Sequence, residues 1–377
     1  MLKNILEEKN KTGGHNINSV AISGATDVKN ISRKKKDTFI VEKEDKSDDE
    51  EVGNNGVIIP MKAHVWEVNE DGEVLDKVSK YFVKTTGKGK NAIKEPTNFY
   101  VQPKLDGWRA IVNIKNKKII MTSNGGKQYP WFSSLRNLFT EWFKNIDKDD
   151  LLDGLDGELY CEKLKDENDV DLDPLLRFST ICSICGISRS KPHKYEDQIQ
   201  FHCFDLADNS GKLTQVERFE HLNNLFTKLP KNAVNRIIKV ETLVISDITQ
   251  VSELHSHFEK IGYEGIILRT FDLQYKVGKR SQELRKFKNF QDDEYEIVGC
   301  KVDKGVENEQ FVWVLQTKEG ERFNAKPKGN KEQKLKWYKN KDKYIGKKMT
   351  VKFQELSENG VPRFPVAKYF RSDVGVD

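Results

Sequence analysis

Nowhere does this 377-residue chain contain an apolar run approaching the roughly 18 residues that a membrane-spanning helix needs. Its opening residues, Met1-Leu2-Lys3-Asn4, lead into charged sequence without the apolar stretch of a secretory signal, so export is not expected. Cysteine is scarce: Cys161, Cys182, Cys185, Cys203 and Cys300 are odd in number and too sparse for a disulfide framework. They fit reduced thiols in an intracellular protein, nuclear or cytoplasmic. Cys182 and Cys185 have half the spacing of a zinc site, but no second C-x-x-C is present, and His193 and Cys203 are the only near candidates. Two buried thiols are therefore expected there in place of a metal. Strong net charge is lacking as well, since 64 Lys and Arg against 59 Asp and Glu leave only +5.

The charge that is present is unevenly spread. Glu42 to Glu51 carries seven acids and two lysines, whereas Lys326 to Lys352 carries eleven lysines against Glu332 and Asp342. A lysine-rich run by itself reads as a solvated surface; in a protein that handles nucleic acid it reads as a phosphate-binding face. Residues 1–56 are poor in aromatic side chains and rich in polar ones, and are expected to be a disordered charged tail. Within them, Arg33-Lys34-Lys35-Lys36 is either a targeting cluster or part of a solvated tail. Residues 57–98 read as a short lead-in, and residues 99–290 as a strand-rich domain with helices. Ala110-Ile111-Val112-Asn113-Ile114 and Gln198 to Asp205 read as strands, while Phe132 to Lys144 and Gln215 to Leu229 show helical spacing. In residues 291–377 the texture changes to five or so short strands with one helix, Lys331 to Asn340. That pattern suits a small Greek-key barrel of the OB type. The fold class expected is α+β, with antiparallel sheets and flanking helices followed by the barrel.

The densest chemical signal is Gln102-Pro103-Lys104-Leu105-Asp106-Gly107-Trp108-Arg109. It puts a lysine in a turn between two strands. At an ordinary pKa near 10.4 only about one lysine in 2,500 is neutral at pH 7, so a nucleophilic lysine needs help. Partial burial and nearby Arg and Lys charges are expected to lower its pKa. Four residues of pattern K-x-D-G are weak alone, and a charged turn explains them equally well.

Further along the chain, Asp156-Gly157-Glu158-Leu159, Phe201-His202-Cys203-Phe204-Asp205, Glu264-Gly265-Ile266-Ile267-Leu268-Arg269 and Leu284-Arg285-Lys286-Phe287-Lys288 follow in order. With the Lys104 segment, this series resembles the motifs of the covalent nucleotidyltransferases, and in particular of the ATP-dependent DNA ligases in a compact form. The resemblance resumes at Tyr344-Ile345-Gly346-Lys347 and Pro362-Arg363-Phe364-Pro365-Val366 and spans roughly residues 99–373. It implies a nucleotidyltransferase domain joined to an OB-fold domain. It also implies that Lys104 takes AMP from ATP, passes it to the 5′-phosphate of a nick in duplex DNA, and so allows the 3′-hydroxyl to seal the strand. Nucleotide contacts are implied for Gln102 (adenine amino group), Arg109, Glu158, Phe204 (stacking on adenine), Arg280, Lys286, Lys288 and Arg371. The last two paired lysines, Lys286 and Lys288, are expected to share in catalysis with Lys104. Arg269 adds a further cation. Glu158 and Glu264 are the implied ligands of Mg²⁺ or Mn²⁺, hard oxygen donors for a hard cation. A monomer acting on nicked DNA, with no membrane association, is expected.

Two departures stand out against this family. Asn124 occupies the place where an arginine usually follows Ser123, and asparagine offers no guanidinium fork to a phosphate; Lys127 is a point-charge substitute. After Arg371-Ser372-Asp373, Val374 stands where lysine often follows. An mRNA-capping guanylyltransferase or an RNA ligase shares the Lys104 pattern and is the alternative reading. A non-catalytic nucleic-acid-binding protein on the same fold is a remoter one. Label transfer from ATP or GTP, and its loss on replacing Lys104, separates the three.

Overall fold

Period-two alternation shapes the strand that ends in the lysine. In Phe99–Lys104, Phe99 and Val101 are fully buried on one face, while Tyr100, Gln102 and Lys104 turn to the other. On the buried side they pack with Ile266 and Leu268 of the strand Gly265–Thr270 and with Val251, Leu254 and Phe258 of the helix Val251–Lys260. Each such side chain contributes on the order of 1.5–3 kcal/mol by leaving water. The opposite face of the same strands is thereby left for polar chemistry.

The computed structural model describes residues 21–22, 57–69, 73–86, 93–187, 189–302 and 310–370. Most of the tail expected over residues 1–56 lies outside these, as does Arg371. Two compact units divide the chain: Met1–Asp171 with Thr180–Phe287, and Leu172–Ser179 with Lys288–Asp377. No helix among the described residues is long and apolar enough to cross a membrane.

The first unit holds two sheets. One runs, in spatial order, Ala21–Ile22, Leu243–Ile245, Phe99–Lys104, Gly265–Thr270, Arg280–Phe287 and Lys62–Val65. The other runs Ile237–Lys239, Gln200–Ala207, Gly154–Tyr160, Trp108–Lys115 and Lys118–Ser123. Pairing is antiparallel through the middle of both sheets; Trp108–Lys115 and Lys118–Ser123 form a tight hairpin, whereas Phe99–Lys104 and Gly265–Thr270 are brought together from distant parts of the chain. Residues 57–98 are not merely a lead-in: Lys62–Val65 pairs in parallel with Arg280–Phe287, and Val83–Thr86 forms a hairpin with Ile93–Pro96. The turn Leu105-Asp106-Gly107 carries the chain from the lysine strand in the first sheet to Trp108–Lys115 in the second. This step sets the two halves of the polar cluster opposite each other.

Two glycines in the quoted motifs are required by close approach. A Cβ on Gly107 would lie 2.8 Å from Glu158 Cγ and even closer to the Leu159 carbonyl. One on Gly157 would lie 2.5 Å from both the His202 carbonyl and Phe201 Cζ. The helix Gln215–Thr227 begins with a capping box, Thr214 and Glu217 serving each other's backbone N–H groups.

In the second unit, Gln291–Lys301, Val312–Gln316, Arg322–Pro327, Val366–Phe370 and Lys348–Phe353 close into a five-stranded barrel. Strict alternation in Arg322–Pro327 sends Phe323, Ala325 and Pro327 inward and Arg322, Asn324 and Lys326 outward. Trp313, Phe311, Tyr295 and Phe353 fill the interior. The helix Lys331–Lys339 of the same unit is capped by Asn330 and Gln333.

Candidate active site

Strand register assembles the polar cluster. Across the first sheet, Lys104 stands opposite Gly265, Gln102 opposite Ile267, and Ile267 in turn opposite Lys286. Gln102, Lys104 and Lys286 therefore share one face. Glu264, just before the Gly265–Thr270 strand, donates its backbone N–H to the Lys104 carbonyl at 3.1 Å, and its carboxylate Oε2 forms a short ion pair with Lys104 Nζ. In the second sheet Arg109 stands opposite Glu158. A β-bulge between Asp156 and Gly157 leaves Phe204 as the extra residue of its strand. The bulge turns Phe204 out of a run that is otherwise buried from Phe201 to Ala207. The Arg109 guanidinium lies 4.6 Å and that of Arg269 5.3 Å from its ring centroid.

The lysine end of the cluster is acidic. Burial alone would lower the Lys104 pKa, but Glu264, its hydrogen bond, Glu158 and Asp106 together raise it above the ordinary lysine value. This corrects the expectation that Arg and Lys neighbours depress it, because the groups around the ammonium are carboxylates. Glu158 shows the converse balance. Burial first, then the charges of Glu264 and Asp156, outweigh Arg109 and Lys104 and push its carboxyl up to about 7. Lys104 and Glu264 side chains keep 21% and 15% of their exposure, so this end remains open to solvent and to a ligand.

The other end is closed. Arg109 grips Asp156 bidentately, Nε to Oδ1 at 2.6 Å and Nη2 to Oδ2 at 2.7 Å. Tyr275 OH donates to the same Oδ2 at 2.6 Å and accepts from the Met61 backbone N–H at 3.3 Å. The fully buried Asp205 takes Arg218 Nε at 3.0 Å, Arg269 Nη1 at 2.9 Å and Gln215 Nε2 at 2.9 Å. Against the cost of burial, these partners hold its carboxyl below the usual range. Arg269 also donates from Nε to Gln102 Oε1 at 2.9 Å. It is thus a buried strut with 3% exposure, not the phosphate-facing cation its position in the sequence implied.

Arg280 is exposed at the start of its strand, in the part that extends past Arg269, with Nη1 on the Ala63 carbonyl at 2.7 Å. Lys288 belongs to the second unit, where its Nζ lies 5.3 Å from the Phe290 ring and 5.9 Å from that of Phe364. Asn124 and Lys127 are exposed in the turn after Lys118–Ser123. Cys182 Sγ receives the Trp108 indole N–H at 3.1 Å, and Cys185 is buried. Among the described residues no group of three or more His, Cys, Asp or Glu side chains is arranged to hold a metal ion.

Sequence reasoning missed Thr242, Gln215, Arg218 and Tyr275 and gave no site role to Asp156 or Asp205. One signal for Arg218 was present. Gln215, Arg218, Leu222 and Leu225 recur at helical spacing and all are buried, so an arginine sits within the apolar stripe of its helix.

Comparison with known proteins identifies the family. The model of the ATP dependent DNA ligase domain matches residues 80–288, more than half of the chain, and that of the DNA ligase OB-like domain matches residues 312–371. The DNA ligase of African swine fever virus (strain Badajoz 1971 Vero-adapted) is 26% identical over 301 residues, 76% of this chain and 67% of the viral protein. That of Haemophilus influenzae (strain ATCC 51907 / DSM 11121 / KW20 / Rd) is 24% identical over 223 residues, 58% of this chain and 70% of the relative. Among solved structures, a Lig E DNA ligase shares the fold with a TM-score of 0.54 at 21% identity, covering 72% of this chain and 92% of its own. Another, Pmar-Lig_Pre, does so with a TM-score of 0.58 at 20% identity, covering 73% and 64%. With catalytic and OB-like domains matched in order, the chain belongs to the ATP-dependent DNA ligases.

Proposed function

We propose that Lys104 is the residue through which this ligase carries AMP, and that nicked duplex DNA receives it. The observation that carries the reading is the Lys104–Glu264 ion pair, on the same sheet face as Gln102 and alongside the acids Glu158 and Asp106. In the first step Nζ, as a free amine, attacks the α-phosphorus of ATP. A P–N bond forms, the P–O bond to pyrophosphate breaks, and the amine's proton has a recipient at hand in Glu264 Oε2. The nick 5′-phosphate then displaces Lys104 from the AMP, and the 3′-hydroxyl displaces AMP in turn. Gln102 and Phe204 bind the base, while Arg109 lies against the sugar. Lys286 and Lys288 neutralise phosphate oxygens, with Arg280 and Arg371 as further anion contacts.

Glu158 and Glu264 offer hard oxygen donors suited to Mg²⁺ or Mn²⁺. Because they are two and not four or more, substrate oxygens and water must complete the shell, as is usual for Mg²⁺. When bound, such an ion supplies charge neutralisation for the triphosphate. Held there, the ion would also offset part of the acidic charge around the Lys104 ammonium. In the second unit, the lysines from Lys326 to Lys352 supply positive charge for contact with DNA phosphates, with the chain working as a monomer.

The test is sealing of a nicked duplex with ATP and Mg²⁺, with DNA or RNA at either side of the nick. Sealing of the all-DNA nick is expected. Nucleotide transfer from GTP alone, or sealing confined to RNA strands, would sink the proposal.

A further inference from the structure

Gln102 is 2% exposed, and nearly all of its hydrogen-bonding capacity is taken by the protein. Nε2 donates to the Phe204 carbonyl at 3.2 Å and to Thr242 Oγ1 at 3.0 Å. Oε1 accepts from Arg269 Nε at 2.9 Å. A carboxamide can ordinarily turn over and exchange its donor and acceptor ends. Here the partners prevent it. The Phe204 carbonyl can only accept, and the Arg269 Nε–H can only donate. The Thr242 hydroxyl could do either, but it donates its hydrogen to the Val240 carbonyl at 3.2 Å and so presents lone pairs to Gln102. Arg269 is itself fixed, since its Nη1 is tied to Asp205, which Arg218 and Gln215 hold in turn. Turned over, Gln102 would put oxygen against oxygen and N–H against N–H in a buried setting.

The capacity left over on Gln102 is the second lone pair of Oε1, an acceptor with no donor form available. We propose that Thr242 and Arg269 are positioning residues that make the nucleotide site selective for adenine by locking Gln102 with its oxygen towards the base. An exocyclic amino group meets that oxygen as a donor. The 6-oxo group of guanine meets it as a second acceptor and is repelled. A freely turning glutamine would accommodate both, so the selectivity resides in its two holders as much as in Gln102. This inference rests on the reading of Gln102 as the base contact.

The experiment compares the rate of nucleotide transfer to the protein, as kcat/KM, for ATP, GTP and purine riboside triphosphate, which lacks the 6-amino group. Thr242→Val keeps the shape of a half-buried side chain and removes the acceptor; Arg269→Lys removes the Nε–H. The ATP preference over both analogues should fall at least about fivefold in Thr242→Val and further in Arg269→Lys, within the range that a polar base contact can discriminate. A merely structural role would lower all three nucleotides in proportion, leaving the ratios intact, and that outcome in Thr242→Val overturns the lock. Gln102→Ala separates the two levels of the argument. If it leaves the ratios unchanged, the base-contact reading itself is wrong. If it collapses them while Thr242→Val and Arg269→Lys keep them, the contact stands and the lock alone is refuted.

Discussion

The two ends of this site, two residues apart on one strand, are built on opposite electrostatic plans. Around Lys104 one cation faces Glu264, Glu158 and Asp106, partly open to solvent, and proton affinities are displaced in consequence. Around Gln102 the charges are sealed and hydrogen-bonded: Asp205 lies between Arg218 and Arg269, all but excluded from water, with donors and acceptors paired. Under the proposed function the lysine end has to change its protonation during the reaction, and an incompletely balanced cluster does this at small cost. Under the same proposal the Gln102 end has to present one fixed hydrogen-bonding face, and a satisfied buried network does that because breaking it is expensive.

The contrast can be broken most severely at the sealed end. Asp205→Ala leaves two buried guanidiniums unpaired and should destabilise the first unit by about 3–5 kcal/mol, read by urea or thermal unfolding. A loss under about 1 kcal/mol would show that the network is not what holds the base end. Next, Tyr275→Phe withdraws one hydrogen bond from Asp156 and orphans the Met61 N–H, at about 1–3 kcal/mol. It should also raise the KM for ATP more than it lowers kcat, through a looser Arg109.

At the open end the effects concern protons more than stability. With Glu158 raised from 4.5 to about 7, the folded state binds this proton more tightly than the unfolded chain. The resulting stabilisation is present below 4.5 and lost as pH rises through about 7. A metal ion at Glu158 competes with that proton, so Mg²⁺ affinity should climb by up to about tenfold per unit below pH 7 and flatten above about pH 8. Titrations of Mg²⁺ at several pH values check this, and Glu158→Gln should flatten the slope. Smallest in stability is Glu264→Gln, expected within about 1 kcal/mol because the pair is not sealed from water. Its signature is the Lys104 amine instead. The ion pair stabilises the fold below the ordinary lysine value of 10.5 and ceases to do so as pH rises through the raised one. Without Glu264 the pH midpoint for amine labelling of Lys104 should move down; an unmoved midpoint would mean that Glu264 is not its main partner.

Sequence legibility follows the same division. Lys104, Arg109, Glu158, Phe204 and Glu264 each lie in a short sequence pattern that carries the family resemblance, and strand register brings these patterns side by side. The barrel was legible from its alternation and turns. What was not legible is long-range and polar. Arg218 reaches Asp205 across thirteen residues, Arg269 reaches Gln102 across 167, and Tyr275 reaches Asp156 across 119. Helical spacing marks Arg218 as facing inward but does not announce its partner, and nothing local marks Arg269 or Tyr275 as paired. The sign of the Lys104 shift was missed for a related reason: Glu264 is adjacent only after the strands have paired.

The most direct measurement is the site of the adduct. Incubation with α-labelled ATP and Mg²⁺, followed by proteolysis and mass spectrometry, should find AMP on Lys104 through an acid-labile P–N bond, and Lys104→Ala should take up no label. AMP attached to another residue, or undiminished labelling of the Lys104→Ala protein, would contradict the account.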